Sequence, residues 1–303
     1  MSVPVTIDET DKRGAYIPYR FLSQFLDFLN AHSEQIEVIT YDDLPWSGDC
    51  GYKDFYPKEY EAWKLQIKNK QRDREKSYLV IQFDVDGSAH RTMRLIEEMG
   101  RKDIPANVMI FNRRVNRKHM QETGELSYTE YPLDIPLMLE LQDSKRFVIA
   151  YHANVLERAG FDKQVAQKIY EQDVTELQKT FRICYSSAHG GPRSPEGESN
   201  YAVDLPASLE NSVRWVANKY GVRFDGHYSD GGINNPKRDP NERDLRNFVR
   251  SFEPGKRYRI LLHPQYYGFG RGLSPNLKRA KWYTDLLAGS GQNGSLWDDV
   301  NLT

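Results

Sequence analysis

Along the chain, short apolar runs alternate with stretches in which apolar side chains recur every three or four residues. β-Branched and apolar runs occur at 78–83 (YLVIQF), 106–111 (ANVMIF) and 147–151 (FVIAY). They return at 182–186 (RICYS), 222–228 (VRFDGHY) and 258–262 (YRILL). Each has the length of a strand, and most stop at polar or glycine-rich residues. Between them, residues 88–100 bring Met93, Leu95, Ile96 and Met99 near one helical face. Residues 162–179 do the same with Val165, Ala166, Ile169, Val174 and Leu177, and residues 207–220 predict a third helix. Strands alternating with helices at this spacing imply parallel strands joined by crossovers. The expected fold class is α/β, a distorted (β/α) barrel of about seven parallel strands. An open doubly wound sheet is the second choice, and its nucleotide-binding forms lose ground because neither GxGxxG nor GxxxxGKS/T occurs.

The flanks read differently. Residues 18–32 predict an amphipathic helix carrying Phe21, Phe25, Leu26 and Leu29, followed by a strand at 36–40, a loop at 42–54 and a charged helix at 60–75. Residues 1–77 are therefore an extension of one domain spanning 1–303, and 268–303, rich in Gly, Ser and Asn, are a peripheral tail held by Trp282, Tyr283 and Leu286. The run at 64–76 mixes acidic with basic residues and reads as a solvated helix face rather than a nucleic-acid patch.

Composition narrows the field. A chain of 303 residues with 39% hydrophobic and 28% charged residues fits a globular domain. A formal net charge of −1 gives no pull toward nucleic acid or anionic lipid. Two cysteines, Cys50 and Cys184, stand far apart, which excludes a Cys-based zinc site. The first residues lack a signal peptide's apolar run, and no stretch approaches the roughly 20 apolar residues that span a bilayer, so a cytoplasmic location is expected. The 19 tyrosines and five tryptophans exceed what a core needs and suit a sugar-binding surface. Nothing in the pattern speaks to oligomeric state.

In parallel barrels, chemistry sits where strands end. The run at 78–83 leads into Asp84-Val85-Asp86-Gly87, and an extended backbone points Asp84 and Asp86 the same way. Two adjacent carboxylates repel unless a proton or a cation compensates them. The bland reading of Asp86 is a cap on the following helix. Of seven histidines, His152, His189, His227 and His263 lie in or beside strand ends, whereas His32, His90 and His119 fall on helices or polar loops. One carboxylate and two imidazoles suit Zn²⁺ or a similar divalent ion with a position left open. The remaining carboxylate and histidine then serve as base and acid.

At these residues the sequence resembles the polysaccharide deacetylase (NodB-like) family, from about residue 18 to residue 268. The family's strand ending Phe-Asp-Asp-Gly resembles Phe83-Asp84-Val85-Asp86-Gly87, and its Gly-x-His resembles Ala150-Tyr151-His152. Its Asp-Gly element resembles Asp230-Gly231, and its Leu-x-His resembles Leu261-Leu262-His263. The resemblance implies Asp84 as catalytic base, Asp86 and His152 as metal ligands, and His263 as the acid that protonates the leaving amine. It further implies Asp230 as the residue orienting a catalytic partner, and Arg193 as a substrate-binding residue bordering the site. Two departures matter. Val85 separates the aspartates, so base and ligand can be exchanged, and Leu156 stands where the family has its second histidine ligand. His189 is expected to replace that ligand. The ion is expected to be Zn²⁺, with Co²⁺ or Fe²⁺ as alternatives.

The activity implied is hydrolysis of an N-acyl, typically N-acetyl, bond. The expected substrate is a small-molecule or a nucleotide- or lipid-linked amino sugar of glycan (lipopolysaccharide or capsule) assembly, or else a non-sugar amide. Tyr266 and Tyr267, just after His263, are candidate rim contacts for a sugar ring. Two other classes compete: a carbohydrate-binding or assembly protein that lost catalysis, and a metal-free glycosidase using Asp84 or Asp86 with Asp230.

Overall fold

The computed structural model describes residues 5–6, 17–44, 74–144, 146–210, 212–216, 224–232 and 245–268. The expected helix at 60–75 (all but its last two residues), most of the loop at 42–54 and nearly all of the tail at 268–303 lie outside them.

The strands of the main sheet are β1 (Ile36–Ile39), β2 (Ser77–Val85), β3 (Ala106–Ile110), β4 (Phe147–Ala153), β5 (Tyr185–Ala188), β6 (Arg214–Trp215), β7 (Gly226–Ser229) and β8 (Arg257–Leu262). Their order is β6-β5-β4-β3-β2-β8-β7, every pair parallel, with β1 also paired to the first half of β2. The helices are α1 (Tyr19–Ala31), α2 (Ala89–Arg101), α3 (Arg117–Thr123), α4 (Ile135–Asp143), α5 (Val155–Arg158), α6 (Lys163–Leu177) and α7 (Leu245–Arg250). The sheet curls into a half-barrel, so the architecture is the distorted (β/α) barrel expected from the pattern. No helix among the described residues is long and apolar enough to cross a membrane.

β2 is the spine. All nine of its residues are buried, as a central parallel strand covered on both faces requires. Alternation gives its faces different work: Leu79, Ile81, Phe83 and Val85 belong to one, while Gln82 and Asp84 share the other. β4 repeats the division. Tyr151 bonds to Asp173 of α6, and His152 bonds to Ser187 of β5 on the opposite face.

The expected helix at 207–220 is absent where the structure is described. Residues 207–209 form one 3₁₀ turn, and 214–215 form β6, paired in register with Tyr185 and Ser186. Val213, Trp215 and Val216 are buried, so sheet pairing and packing override the helical spacing. The strand expected at 182–186 begins at Tyr185 and runs to Ala188, which brings His189 directly to its end.

β6 and β7 end the sheet without pairing to each other. From β8, Arg259 reaches both sides of this seam. Its Nε donates to His227 Nδ1 on β7 at 3.2 Å, and Nη1 donates to the carbonyl of Val216, just past β6, at 3.3 Å.

Candidate metal centre

Asp86 lies one residue past β2, before a tight turn into α2. Its bland role, capping that helix, is taken by another residue. Ser88 is the N-cap, in a left-handed conformation (φ 53°), and its Oγ accepts from Arg91 N at 3.4 Å. Asp86 is thereby left to the interior.

Two histidines meet it there. The register pairs His152 with Ser187, and His189 follows Ser187 by two residues, so the alternation of β5 carries it to the same face. The His189 N–H donates to the Ala153 carbonyl at 2.9 Å, which anchors this position beside the end of β4. His152 Nε2 stands 3.1 Å from Asp86 Oδ1, His189 Nδ1 stands 3.2 Å from the same oxygen, and the two nitrogens are 3.2 Å apart. Phe111 walls the pair, stacked on His152 and edge-on to His189, with ring centroids 5.2 Å away in both cases.

This triangle fits a divalent ion. Tetrahedral bonds of about 2.0–2.1 Å hold ligand atoms about 3.3 Å apart. Asp86 Oδ1 is buried and makes no well-directed hydrogen bond, although two ring nitrogens stand within ion-pair distance. Such an orphaned oxygen is costly without a further partner. Burial pushes the Asp86 carboxyl up, but the charge and polar contacts of His189 and His152 outweigh it and hold the group well below its usual range. His152 Nδ1 lies 2.9 Å from Ser187 Oγ, so in the neutral ring that a metal ligand requires, a proton on Nδ1 would donate to the hydroxyl and leave the Nε2 lone pair for an ion.

Asp84 sits beside the triangle, with Oδ2 3.7 Å from His152 Nε2. Its other oxygen, Oδ1, accepts from Gln82 Nε2 at 2.6 Å. Across the site, Asp230 grips His263 twice: Oδ2 accepts from the backbone N–H and Oδ1 lies 2.6 Å from Nδ1. Burial opposes charge on His263, but Asp230, with Asp86 and Asp84 behind it, lifts the imidazole to about 10. His263 Nε2 faces Asp86 Oδ2 at 3.7 Å. Asp230 is fully buried, with both oxygens engaged by His263, and so is not free to act as a glycosidase carboxylate.

Tyr266 packs against His263 with ring centroids 5.0 Å apart, at the rim where a sugar contact was expected. Arg193 does not join the cluster: it is exposed and donates to the Gly197 carbonyl of its own loop. His227 serves Arg259 instead of the ion site. Leu156 is buried in the core. Several residues near the centre carried no signal in the sequence. Arg117 donates from Nε to Glu157 at 3.1 Å, and its Nη2 lies 3.2 Å from His189 Nε2. Gln265 Nε2 reaches Asp86 Oδ2 at 3.4 Å. Their partners lie far off in sequence, and only the local Asp-x-Asp spacing and the strand-end histidines were legible.

No protein-family model matches the chain, and no curated protein matches it. Among solved structures it is similar to a CE4 family pseudoenzyme from Bacillus anthracis, at 11% identity and a TM-score of 0.35 over 70% of this chain and 60% of that one. A mutant of that pseudoenzyme with restored enzymatic activity is similar at 12% identity and a TM-score of 0.34, covering 70% and 63%. A family 4 carbohydrate esterase from Bacillus anthracis is similar at 14% identity and a TM-score of 0.31, covering 72% and 79%. The chain thus spans 60% of the length of the pseudoenzyme. These neighbours come from the family that the motifs resemble.

Proposed function

We propose that the chain is a metal-dependent hydrolase of an amide bond, removing the N-acyl group of an amino sugar. Asp86, His152 and His189 hold the ion, Zn²⁺ or else Co²⁺ or Fe²⁺. The observation that carries this reading is the triangle itself, in which a buried carboxylate oxygen without a hydrogen bond stands at ligand spacing from two imidazole nitrogens.

An ion held there supplies Lewis acidity, which lowers the pKa of water and polarises a carbonyl. Asp84 is the base, taking the proton of the attacking water on Oδ2, the oxygen that Gln82 leaves free. His263 carries the proton that the departing nitrogen needs. Asp230 holds His263 Nδ1 at 2.6 Å, so the ring stays charged and its Nε2–H points toward the centre. Tyr266 offers a half-buried aromatic face beside His263 for a sugar ring. The substrate of this reading is a nucleotide- or lipid-linked N-acyl amino sugar from glycan assembly.

The test is elemental analysis of purified wild type, Asp86→Ala and His189→Ala, with amine release from N-acetyl amino sugars measured alongside. About one ion per chain is expected in wild type only, together with metal-dependent release of free amine. A wild-type protein that takes up none of Zn²⁺, Co²⁺ or Fe²⁺ overturns the reading.

A further inference from the structure

Beneath the centre lies a second set of buried polar groups that the reaction does not itself use. Tyr41, Gln82 and Asn107 are each at most 1% exposed. The Tyr41 N–H donates to Asn107 Oδ1 at 2.8 Å, and Asn107 Nδ2 donates to the Ile81 carbonyl at 3.0 Å, so Tyr41 is pinned to the spine of the sheet. Its hydroxyl donates to Gln82 Oε1 at 2.5 Å. Gln82 Nε2 then donates to Asp84 Oδ1 at 2.6 Å. An ionised carboxylate can only accept, so Gln82 turns its amide nitrogen to Asp84 and its oxygen to Tyr41. Both bonds in this chain therefore run one way: Tyr41 to the Gln82 carbonyl oxygen, and the Gln82 amide to the carboxylate. Flipping the Gln82 amide is disfavoured, because its oxygen then faces Asp84. Chains of this polarity reinforce each bond along their length.

We infer that Gln82, held by Tyr41, is the positioning residue for Asp84, tying up Oδ1 so that Oδ2 alone is presented beside the ion site. The inference rests on the reading of Asp84 as base. Alternation alone puts Gln82 and Asp84 on one face, but it does not say which carboxylate oxygen is engaged. The donor chain does. It also holds Asp84 back from the ligand set, keeping a coordination position open at the Asp86–His152–His189 triangle, as catalysis at such an ion requires. A base misplaced by a fraction of an ångström loses rate without losing substrate affinity.

The experiment uses zinc-loaded full-length protein and hydrolysis of 4-nitrophenyl acetate, whose leaving group needs no acid and so reports on water activation. Gln82→Met keeps the volume and removes the donor. It is expected to lower kcat about tenfold to a hundredfold with KM within about twofold of wild type, and with Zn²⁺ affinity weakened no more than about threefold. Tyr41→Phe is expected to lower kcat by less, and the double variant to fall no lower than Gln82→Met alone, since both act through one chain. A kcat in Gln82→Met within about twofold of wild type overturns the inference, and so does an additive double variant. Crystal structures of wild type and Gln82→Met provide a readout that needs no turnover: the Asp84 carboxylate is expected to rotate, and an unmoved carboxylate overturns the positioning role. Rotation in a wild-type background that hydrolyses neither ester nor amide counts against the hydrolase reading instead, so the two fail separately.

Discussion

Tyr151 and His152 are neighbours on β4, and their side chains leave opposite faces of the sheet for two polar clusters of opposite character. On the outer face, Asp173 accepts from Asn112 Nδ2 and Arg158 Nη2 on one oxygen, and from the Tyr151 hydroxyl and Arg158 Nη1 on the other. Each oxygen of that carboxylate has two donors. On the inner face, the Asp86 oxygen nearest two histidines has no directed hydrogen bond at all. The Asp86 side chain is 20% exposed against 2% for Asp173, but its Oδ1 is itself sealed from solvent, so water does not complete that oxygen's bonds. A carboxylate with its hydrogen bonds complete is a tie between elements, here α5, α6 and β4. One left incomplete between two imidazoles leaves room for a further partner.

The comparison can be broken by changing each carboxylate in turn. Asp173→Asn leaves Arg158 buried with its charge uncompensated and is expected to cost about 3–5 kcal/mol in chemical denaturation. Added Zn²⁺ should still raise the melting temperature of that variant as much as it raises wild type. Asp86→Asn is expected to show the converse, with Zn²⁺ affinity by calorimetry reduced at least about a hundredfold and no thermal shift on adding the ion. A variant that keeps its shift removes Asp86 from the ligand set.

A pH series sharpens the contrast further. His263 is raised from 6.5 to about 10 in the folded chain, so its ion pair with Asp230 contributes stability that is fully present below about pH 6.5 and is lost as pH rises through about 10. Metal-free wild type is expected to lose stability across that window with a slope approaching about 1.4 kcal/mol per pH unit. His263→Gln should be flatter. Equal slopes in the two proteins would mean that the pair holds no extra proton. The smallest effect concerns Ser187→Ala, which removes the oxygen facing His152 Nδ1 and is expected to weaken Zn²⁺ binding about tenfold with little change in fold stability.

The legible part of this molecule was whatever strand spacing and strand ends encode. The apolar runs became β2, β3, β4 and β8 with modest shifts, because buried parallel strands need near-continuous apolar sequence. Asp86, His152 and His189 were legible because each follows or ends such a run, and the structure brings them together. Arg193 was read from a local likeness to an Arg-Pro element, and its side chain turns back to its own loop. Over its described residues the helix expected at 207–220 failed because Val213, Trp215 and Val216 satisfy helical spacing and sheet burial alike, and the edge of β5 decided between them. Gln82, Tyr41, Arg117 and Gln265 were not legible. Each matters through a partner that only the folded sheet brings near, and a polar residue inside an apolar run announces no partner.

The strand order also has a consequence in time. β3, β4 and β5 follow β2 in the chain and join it on one side in that same order, whereas β7 and β8 belong to its other side and are made last. On a ribosome, all three residues of the ion triangle have been synthesised once position 189 is added, well before Asp230 and His263 exist. The candidate ion ligands, with Asp84 beside them, can therefore come together on a nascent chain, and the Asp230–His263 pair arrives only when β8 docks beside β2. An ion caught early would meet a site still open along the flank where β8 later closes it.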